Sequence, residues 1–285
     1  MPGFRAKAFL YSFLLCPISV PVFANAGAHG GRKRPPEIIW RVRAGEKIRD
    51  LCQRLEREGA CLCTHFENNA KSADLSFIPR SEKTLRKFEG IFVPGEYRIE
   101  KIPGQDSQTR SARILGSLLA AARTRYDHSD LGGNALYHRI TIASIVEKES
   151  VKKENFEEVA SVFFNRLRTG QTLGSCPTVE YALGYHRPFL LESDVRIQSP
   201  YNVYRNKGLP PTPIAFFSEG AWNAALHPKE TEYQFFVFDW TTGKLGFSKS
   251  YEEHKDRASR ARANFIRRFG AARLHAMDKT KYYEY

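Results

Sequence analysis

The sequence predicts an α+β protein: a small N-terminal α+β unit joined to a mainly helical domain that carries a few short strands. Three patterns lead there. Glu37-Ile-Ile-Trp-Arg-Val-Arg43 alternates like a strand, and Ala44-Gly45-Glu46 turns it into Lys47–Gly59, where Ile48, Leu51, Cys52 and Leu55 share one helical face. Beyond residue 105 the apolar residues recur mostly at helical spacing. Late in the chain, Tyr233–Asp239 and Leu245–Phe247 flank Thr241-Thr-Gly243 and read as a hairpin.

Taken in order, a second helix around Cys63–Asn69, a helix over Ser81–Phe88 and a strand near Gly90–Ile99 complete the first unit, residues 37–104. Pro103-Gly104-Gln-Asp-Ser is the expected linker, with Ser107 or Thr109 capping a helix that runs through Tyr126. The second domain, residues 105–270, holds helices at Leu136–Ser150, Asn155–Thr169 and Ser218–Leu226, separated by loops dense in Gly and Pro, and then the hairpin. A last helix, Tyr251–Phe269, has apolar or small residues at 258, 261, 265, 266 and 269 on one face. It is expected to pack through Phe265, Ile266 and Phe269, with basic residues filling the rest and a tail over 271–285.

At 285 residues the chain is long enough to bury a sizeable core, and its composition is globular. The formal charge of +13 raises nucleic acid, an anionic membrane face or an anionic polymer as partner. Its distribution decides among them. Residues 1–36 contribute +5 and residues 249–285 another +5, leaving +3 for the body. The first 36 residues place basic side chains ahead of the apolar run Ala8–Phe23 and the site Ala24-Asn25-Ala26, the order of a signal peptide. Export is expected, by a cleaved signal or an N-terminal anchor in the cytoplasmic membrane. Export, together with the lack of a helix-turn-helix, RNP or zinc-finger pattern, argues against nucleic acid. Once Cys16 leaves with a cleaved leader, Cys52, Cys61, Cys63 and Cys176 remain, and a bridge from Cys52 to Cys61 or Cys63 fits an oxidising compartment. Cys61-x-Cys63-x-His65 has no second pair at zinc spacing, so neither a metal nor an organic cofactor is expected.

The segment that promises chemistry is Ile140-Thr-Ile-Ala-Ser-Ile-Val-Glu-Lys-Glu-Ser150. On a helix, Ile142, Ile145, Val146 and Glu149 lie on one stripe, and Ile140, Ala143, Ser144 and Glu147 on its neighbour. Glu147 and Glu149 diverge by roughly 200°, so at most one of them enters a given cleft. A carboxylic acid that closes an apolar stripe is desolvated and stays protonated to higher pH, as a general acid needs. The alternative for both is a helix end with solvated charges.

A series of motifs narrows this further. Ala143-Ser-Ile-Val-Glu-Lys-Glu-Ser150, Val162-Phe-Phe-Asn-Arg-Leu167, Pro177-Thr-Val-x-Tyr181, Ser199-Pro-Tyr-Asn-Val-Tyr204, Gly208-Leu-Pro-Pro-Thr-Pro-Ile-Ala215, Ala225-Leu-His-Pro228, Tyr233-x-Phe-Phe-Val237 and Phe247-Ser-Lys-Ser-Tyr-x-Glu-His254 closely resemble the MltG (YceG-like) family of endolytic murein transglycosylases. Upstream, Val42-x-Ala-Gly-Glu-x-Ile48 resembles that family's LysM-like subdomain, and Phe88–Tyr97 its "LEGYLFPDTY" element. The resemblance covers roughly residues 38–268.

It implies cleavage of the MurNAc–GlcNAc bond in nascent peptidoglycan strands without water, leaving 1,6-anhydro-MurNAc ends and setting strand length. The partners implied are the glycan strands and the synthases that make them. A single acid suffices if the sugar's own C6 hydroxyl attacks C1. By its match to a helix-terminal Glu-Ser, Glu149 is the expected acid, with Glu147 the runner-up. Asn165, Arg166, Thr178, Tyr201, Asn202 and Tyr204 fall on family motifs and are the expected substrate-binding residues. His227 and His254 also match, but a lone histidine is more often structural. Relatives read L-Q-S/T-D-P-T where this chain has Leu173-Gly-Ser-Cys-Pro-Thr178, so Gly174 stands for a Gln and Cys176 for an Asp. That departure leaves open a catalytically weakened wall-binding or scaffold protein of the same family.

Overall fold

Strand β1 (Glu37–Val42) pairs antiparallel with β2 (Gly95–Glu100), placing Trp40 opposite Tyr97 with their rings stacked at 5.7 Å. Trp40 and Val42 point into the core while Ile39 stays exposed, the alternation a half-buried sheet requires. These strands belong to a computed structural model that describes residues 35–78, 84–127, 131–150, 152–187 and 190–273. The signal or anchor expected in residues 1–36, the first half of the Ser81–Phe88 helix and most of the 271–285 tail lie outside the described residues. From Pro36 onward the chain forms one compact unit.

Helix α1 (Ile48–Arg57) buries Ile48, Leu51, Cys52 and Leu55, the face its spacing predicts, and Gly59 at φ +70 closes it. A disulfide from Cys52 to Cys63 ties α1 to α2 (Cys63–Ser72), with the Cα atoms 5.1 Å apart. Cys61 is the buried free thiol of the trio, and desolvation pushes it up to about 11. A 3-10 turn at Leu85–Phe88 is the described part of the expected Ser81–Phe88 helix. The next turn hinges on Gly90, at φ +73, where an added Cβ would stand 2.5 Å from Cβ of Pro213.

Helix α3 (Ser107–Tyr126) is capped by Asp106, not by Ser107 or Thr109. Asp106 is the last extended residue, and its Oδ1 accepts the Thr109 N–H at 2.9 Å while its Oδ2 accepts the Thr109 hydroxyl. Helix α4 (Gly133–Glu149) is the centre of the molecule: every residue from Ile140 to Val146 is buried. Both stripes read from the sequence therefore face protein. A 3-10 turn (Lys153–Asn155) leads into α5 (Phe156–Arg168).

The stretch expected to be Gly- and Pro-rich loop contains two further helices, α6 (Cys176–Leu183) and the single turn α7 (Glu192–Val195). Pro177 sits in the first turn of α6, where a missing N–H leaves no intrahelical bond unmade, and Gly184 at φ +78 ends it. Then follow α8 (Glu219–Leu226), the hairpin β3 (Phe235–Asp239) and β4 (Lys244–Ser248), and α9 (Tyr251–Phe269). Along α9, Phe265 is buried and Phe269 half-buried, but Ile266 is exposed. A two-stranded hairpin is too narrow to cover more than one stripe of a helix, and Ile266 lies about 100° round from Phe265.

Phe216 joins the first strands and helices to the rest. Its N–H donates to the carbonyl of Glu46 and its carbonyl accepts from Gly45, at 2.8 and 2.7 Å, and its ring lies 5.7 Å from that of Phe92.

Candidate active site

The end of α4 delivers two glutamates to two different helix N-termini. Glu147 turns toward α8 and accepts the N–H of Ser218 at 2.9 Å and its hydroxyl at 2.6 Å. Ser218 is the N-cap of α8, so Glu147 serves to brace that helix start. Glu149 turns instead toward α6. The N–H of Cys176 and the fully buried Ser175 hydroxyl lie near its carboxyl and favour its charged form, and the Ser175 hydroxyl has no other hydrogen-bond partner among the described residues.

Desolvation dominates at Glu149 and pushes it up to about 7. The nearby charge of Glu180 adds to the rise, while Ser175, Arg166 and the Cys176 N–H oppose it. The apolar stripe beneath supplies the desolvation: Ile142, Ile145 and Val146 are fully buried. Glu149 is thus a carboxylic acid that holds or releases a proton near neutral pH.

Arg166, from α5, closes one side. It is pinned by Nε to the carbonyl of Gln234 at 2.6 Å and by Nη1 to the carbonyl of Leu173, and its guanidinium lies 5.1 Å over the ring of Phe235. Burial lowers its pKa, and the charge of Glu149 opposes that shift. Tyr204 closes the other side, its hydroxyl 3.1 Å from Sγ of Cys176. Desolvation pushes the Cys176 thiol up to about 12, so it stays neutral.

The two departures from the family pattern meet at this spot. Gly174 has φ +60, and an added Cβ would come within 3.0 Å of Nη1 of Arg166 and 3.6 Å of the Tyr204 ring. Its lack of a side chain gives both room. Cys176 puts a neutral thiol where a second carboxylate would stand beside Glu149.

The remaining expected site residues are hydrogen-bonded within the fold. Asn165 donates both amide hydrogens to backbone, to the carbonyls of Thr231 and Tyr233 at 2.9 Å each. It lines a cavity of about 290 Å³ with Arg168, Lys229 and Thr231, whose walls include neither Glu149 nor Tyr204. Asn202 is fully buried; its amide donates to the carbonyls of Val195 and Ile197, and its oxygen accepts from the N–H of Tyr204. That leaves no donor for a sugar N-acetyl group, but it sets where Tyr204 stands. Thr178 is fully buried, bonded to the carbonyl of Ser175 at 2.7 Å, and so holds the first turn of α6. Tyr201 is buried, bonded to Thr212 at 3.0 Å and packed on Tyr181. His254 stacks on Phe235, its pKa lowered by burial and by Arg166.

The sequence reading gave no role to Glu89. It is 1% exposed, accepts the N–H of Ile48 at the start of α1 and the hydroxyl of Tyr181, each at 3.0 Å, and desolvation pushes it up to about 7. The available signal was a carboxylate between Phe88 and the apolar Ile91-Phe92. Among the described residues, Cys52, Cys63 and Glu67 come close enough to suggest a metal, but the two sulfurs are joined in the disulfide and offer no thiolate.

A desolvated glutamic acid at a buried helix end, flanked by an arginine, a tyrosine and a helix N-terminus, is an arrangement able to give and take back a proton. The YceG-like family model matches residues 28–260, and the chain belongs to that family. Over 170 residues it is 35% identical to a protein named endolytic murein transglycosylase from Bacillus subtilis (strain 168), a match covering 58% of this chain and 46% of that protein. Over 190 residues it is 32% identical to one of the same name from Streptococcus pneumoniae serotype 2 (strain D39 / NCTC 7466), covering 63% and 33%. The chain thus spans less than half the length of these relatives. A crystal structure of a yceG-like protein from Listeria monocytogenes shares 27% identity and a TM-score of 0.61, over 76% of this chain and 74% of that one.

Proposed function

We propose that this protein is an exported lytic transglycosylase that cuts peptidoglycan glycan strands from within, with Glu149 as the single acid–base group. The observation that carries the proposal is Glu149 itself, raised to about 7 by the apolar end of α4. The names of the relatives supply the substrate class. Protonated Glu149 gives its proton to the oxygen that links C1 of MurNAc to GlcNAc, and that bond breaks. The MurNAc C6 hydroxyl attacks C1, and the Glu149 carboxylate takes up the hydroxyl proton. The new chain end is 1,6-anhydro-MurNAc, no water is consumed, and the acid is regenerated.

Arg166 stabilises the carboxylate stage of that cycle, and Tyr204 borders the space where a sugar would lie. A neutral Cys176 keeps a second negative charge away from Glu149, so proton return does not work against a neighbouring carboxylate. In this reading the strands and helices before residue 104 act as a LysM-like element that aligns the glycan. Wall synthases are the natural co-workers, because the substrate is nascent strand.

Digestion of purified glycan strands in H2-18O tests the chemistry. Anhydro ends, about 20 mass units below ends hydrolysed in this water and free of 18O, are the expected product. Reducing ends carrying 18O would replace the proposal with a hydrolase. An absence of new ends would favour the wall-binding scaffold suggested by Gly174 and Cys176.

A further inference from the structure

The end of the molecule where the hairpin tip meets the last turn of α9 carries features that this chemistry does not use. From Arg257 to Arg273 the chain has six arginines and no Asp or Glu, and all six arginines are exposed. Arg268 anchors the junction by donating from Nη1 to the carbonyl of Thr241 at 2.6 Å. The guanidinium groups of Arg268 and Arg273 each lie 5.3 Å from the Phe269 ring. From the hairpin tip, Trp240 is 41% exposed, and Lys244 is exposed on the opposite side of the turn. The carboxylate of the tip, Asp239, is turned onto its own loop, where it accepts the N–H of Thr241 at 2.8 Å and its hydroxyl at 2.5 Å.

We propose that this end is a docking surface for the anionic headgroups of a lipid membrane. Trp240 would enter the headgroup layer, and Lys244, Arg267, Arg268 and Arg273 would meet lipid phosphates. The combination selects the partner. Cations alone would suit any polyanion, but a partly exposed indole beside them fits a surface that offers negative charge and an apolar layer together. The tip is held in place by Arg268, the Asp239–Thr241 bonds and the packing of the Trp240 ring edge-on to Phe238 at 5.2 Å. The surface is separate from Glu149 and goes beyond the catalytic reading. It would hold the enzyme near the membrane face, where new strands emerge.

The tryptophans make the test specific. The chain has three, and Trp40 and Trp222 are 2% and 5% exposed, so Trp240 is the one that lipid can reach. The N-terminal apolar run has none and cannot imitate its signal. The full chain is titrated with vesicles of brominated phosphatidylglycerol and, separately, of brominated phosphatidylcholine. Quenching by the first and not the second is expected. It should vanish in Trp240→Phe, and about tenfold more lipid or greater should be needed in Arg267→Ser/Arg273→Ser, neither of which bonds the hairpin among the described residues. No quenching by phosphatidylglycerol, or equal quenching by both lipids, would overturn the proposal. So would a Trp240 response to soluble glycan or to DNA in place of vesicles.

Discussion

Replacing Glu149 by Gln should change how the stability of the protein depends on pH. The isosteric amide keeps the shape of the site but removes the group whose charging burial opposes. Glu149 rises from 4.5 to about 7 on folding. A raised folded value means that its contribution is fully present below pH 4.5, where it is neutral in both states, and is lost as pH climbs through about 7. A shift of about 2.5 units at about 1.4 kcal/mol each sets the loss at no more than about 3.5 kcal/mol by pH 8. The introduced amide does not titrate, so the variant escapes that loss. Glu89 and the remaining groups titrate in both proteins and cancel in the difference. Urea unfolding of wild type and Glu149→Gln at pH 4.5, 6, 7 and 8 reads it directly. The stability of the variant relative to wild type should rise with pH by about 2–3 kcal/mol, mostly between pH 5 and 7.5. A difference that stays flat to within about 0.5 kcal/mol, or that falls with pH, would refute desolvation of Glu149 and with it the acid assignment.

Glu147→Gln should weaken the start of α8 by about 1 kcal/mol in the same unfolding assay and leave glycan cleavage largely intact. Gly174→Gln, which forces a side chain onto φ +60 and against Arg166, should destabilise by about 1–2 kcal/mol and lower the cleavage rate by displacing Arg166 and Tyr204. Cys52→Ser should lower stability by about 2–4 kcal/mol, and dithiothreitol should bring wild type down to the same midpoint, because the Cys52–Cys63 bridge closes an 11-residue separation.

Much of the fold was legible because its elements obey one period each. The α1 face, the β1 alternation and the hairpin follow from local spacing, and the last helix keeps the bounds Tyr251–Phe269. What escaped the sequence depends on partners far along the chain. Pro177 looked like loop because a proline at a helix start and one in a turn read alike without the preceding backbone. Ile266 shares a face with Phe265 only if the surface beneath is wide enough, and a hairpin is not. The Cys52 bridge could go to Cys61 or Cys63 until the orientation of α2 fixed it.

At the site, the Glu149–Ser150 pattern pointed to the C-terminal end of α4, but the stripe argument alone could not separate Glu149 from Glu147, since α4 is buried on both stripes. The difference lies in what each carboxyl meets: the Ser218 cap or the start of α6. Asn165 was expected at the site by its match to a family motif, and Asn202 also by its residue type. Both have their amide donors on backbone carbonyls, a fact that only tertiary structure can supply.

The central claim, that Glu149 is the acid, is tested most directly by measuring anhydro-end formation on purified glycan strands by wild type, Glu149→Gln and Glu147→Gln side by side at pH 6. Loss of a general acid should slow Glu149→Gln by roughly 100-fold or more, while Glu147→Gln stays within a few-fold of wild type. Undiminished cleavage by Glu149→Gln, or a collapse confined to Glu147→Gln, would contradict the account.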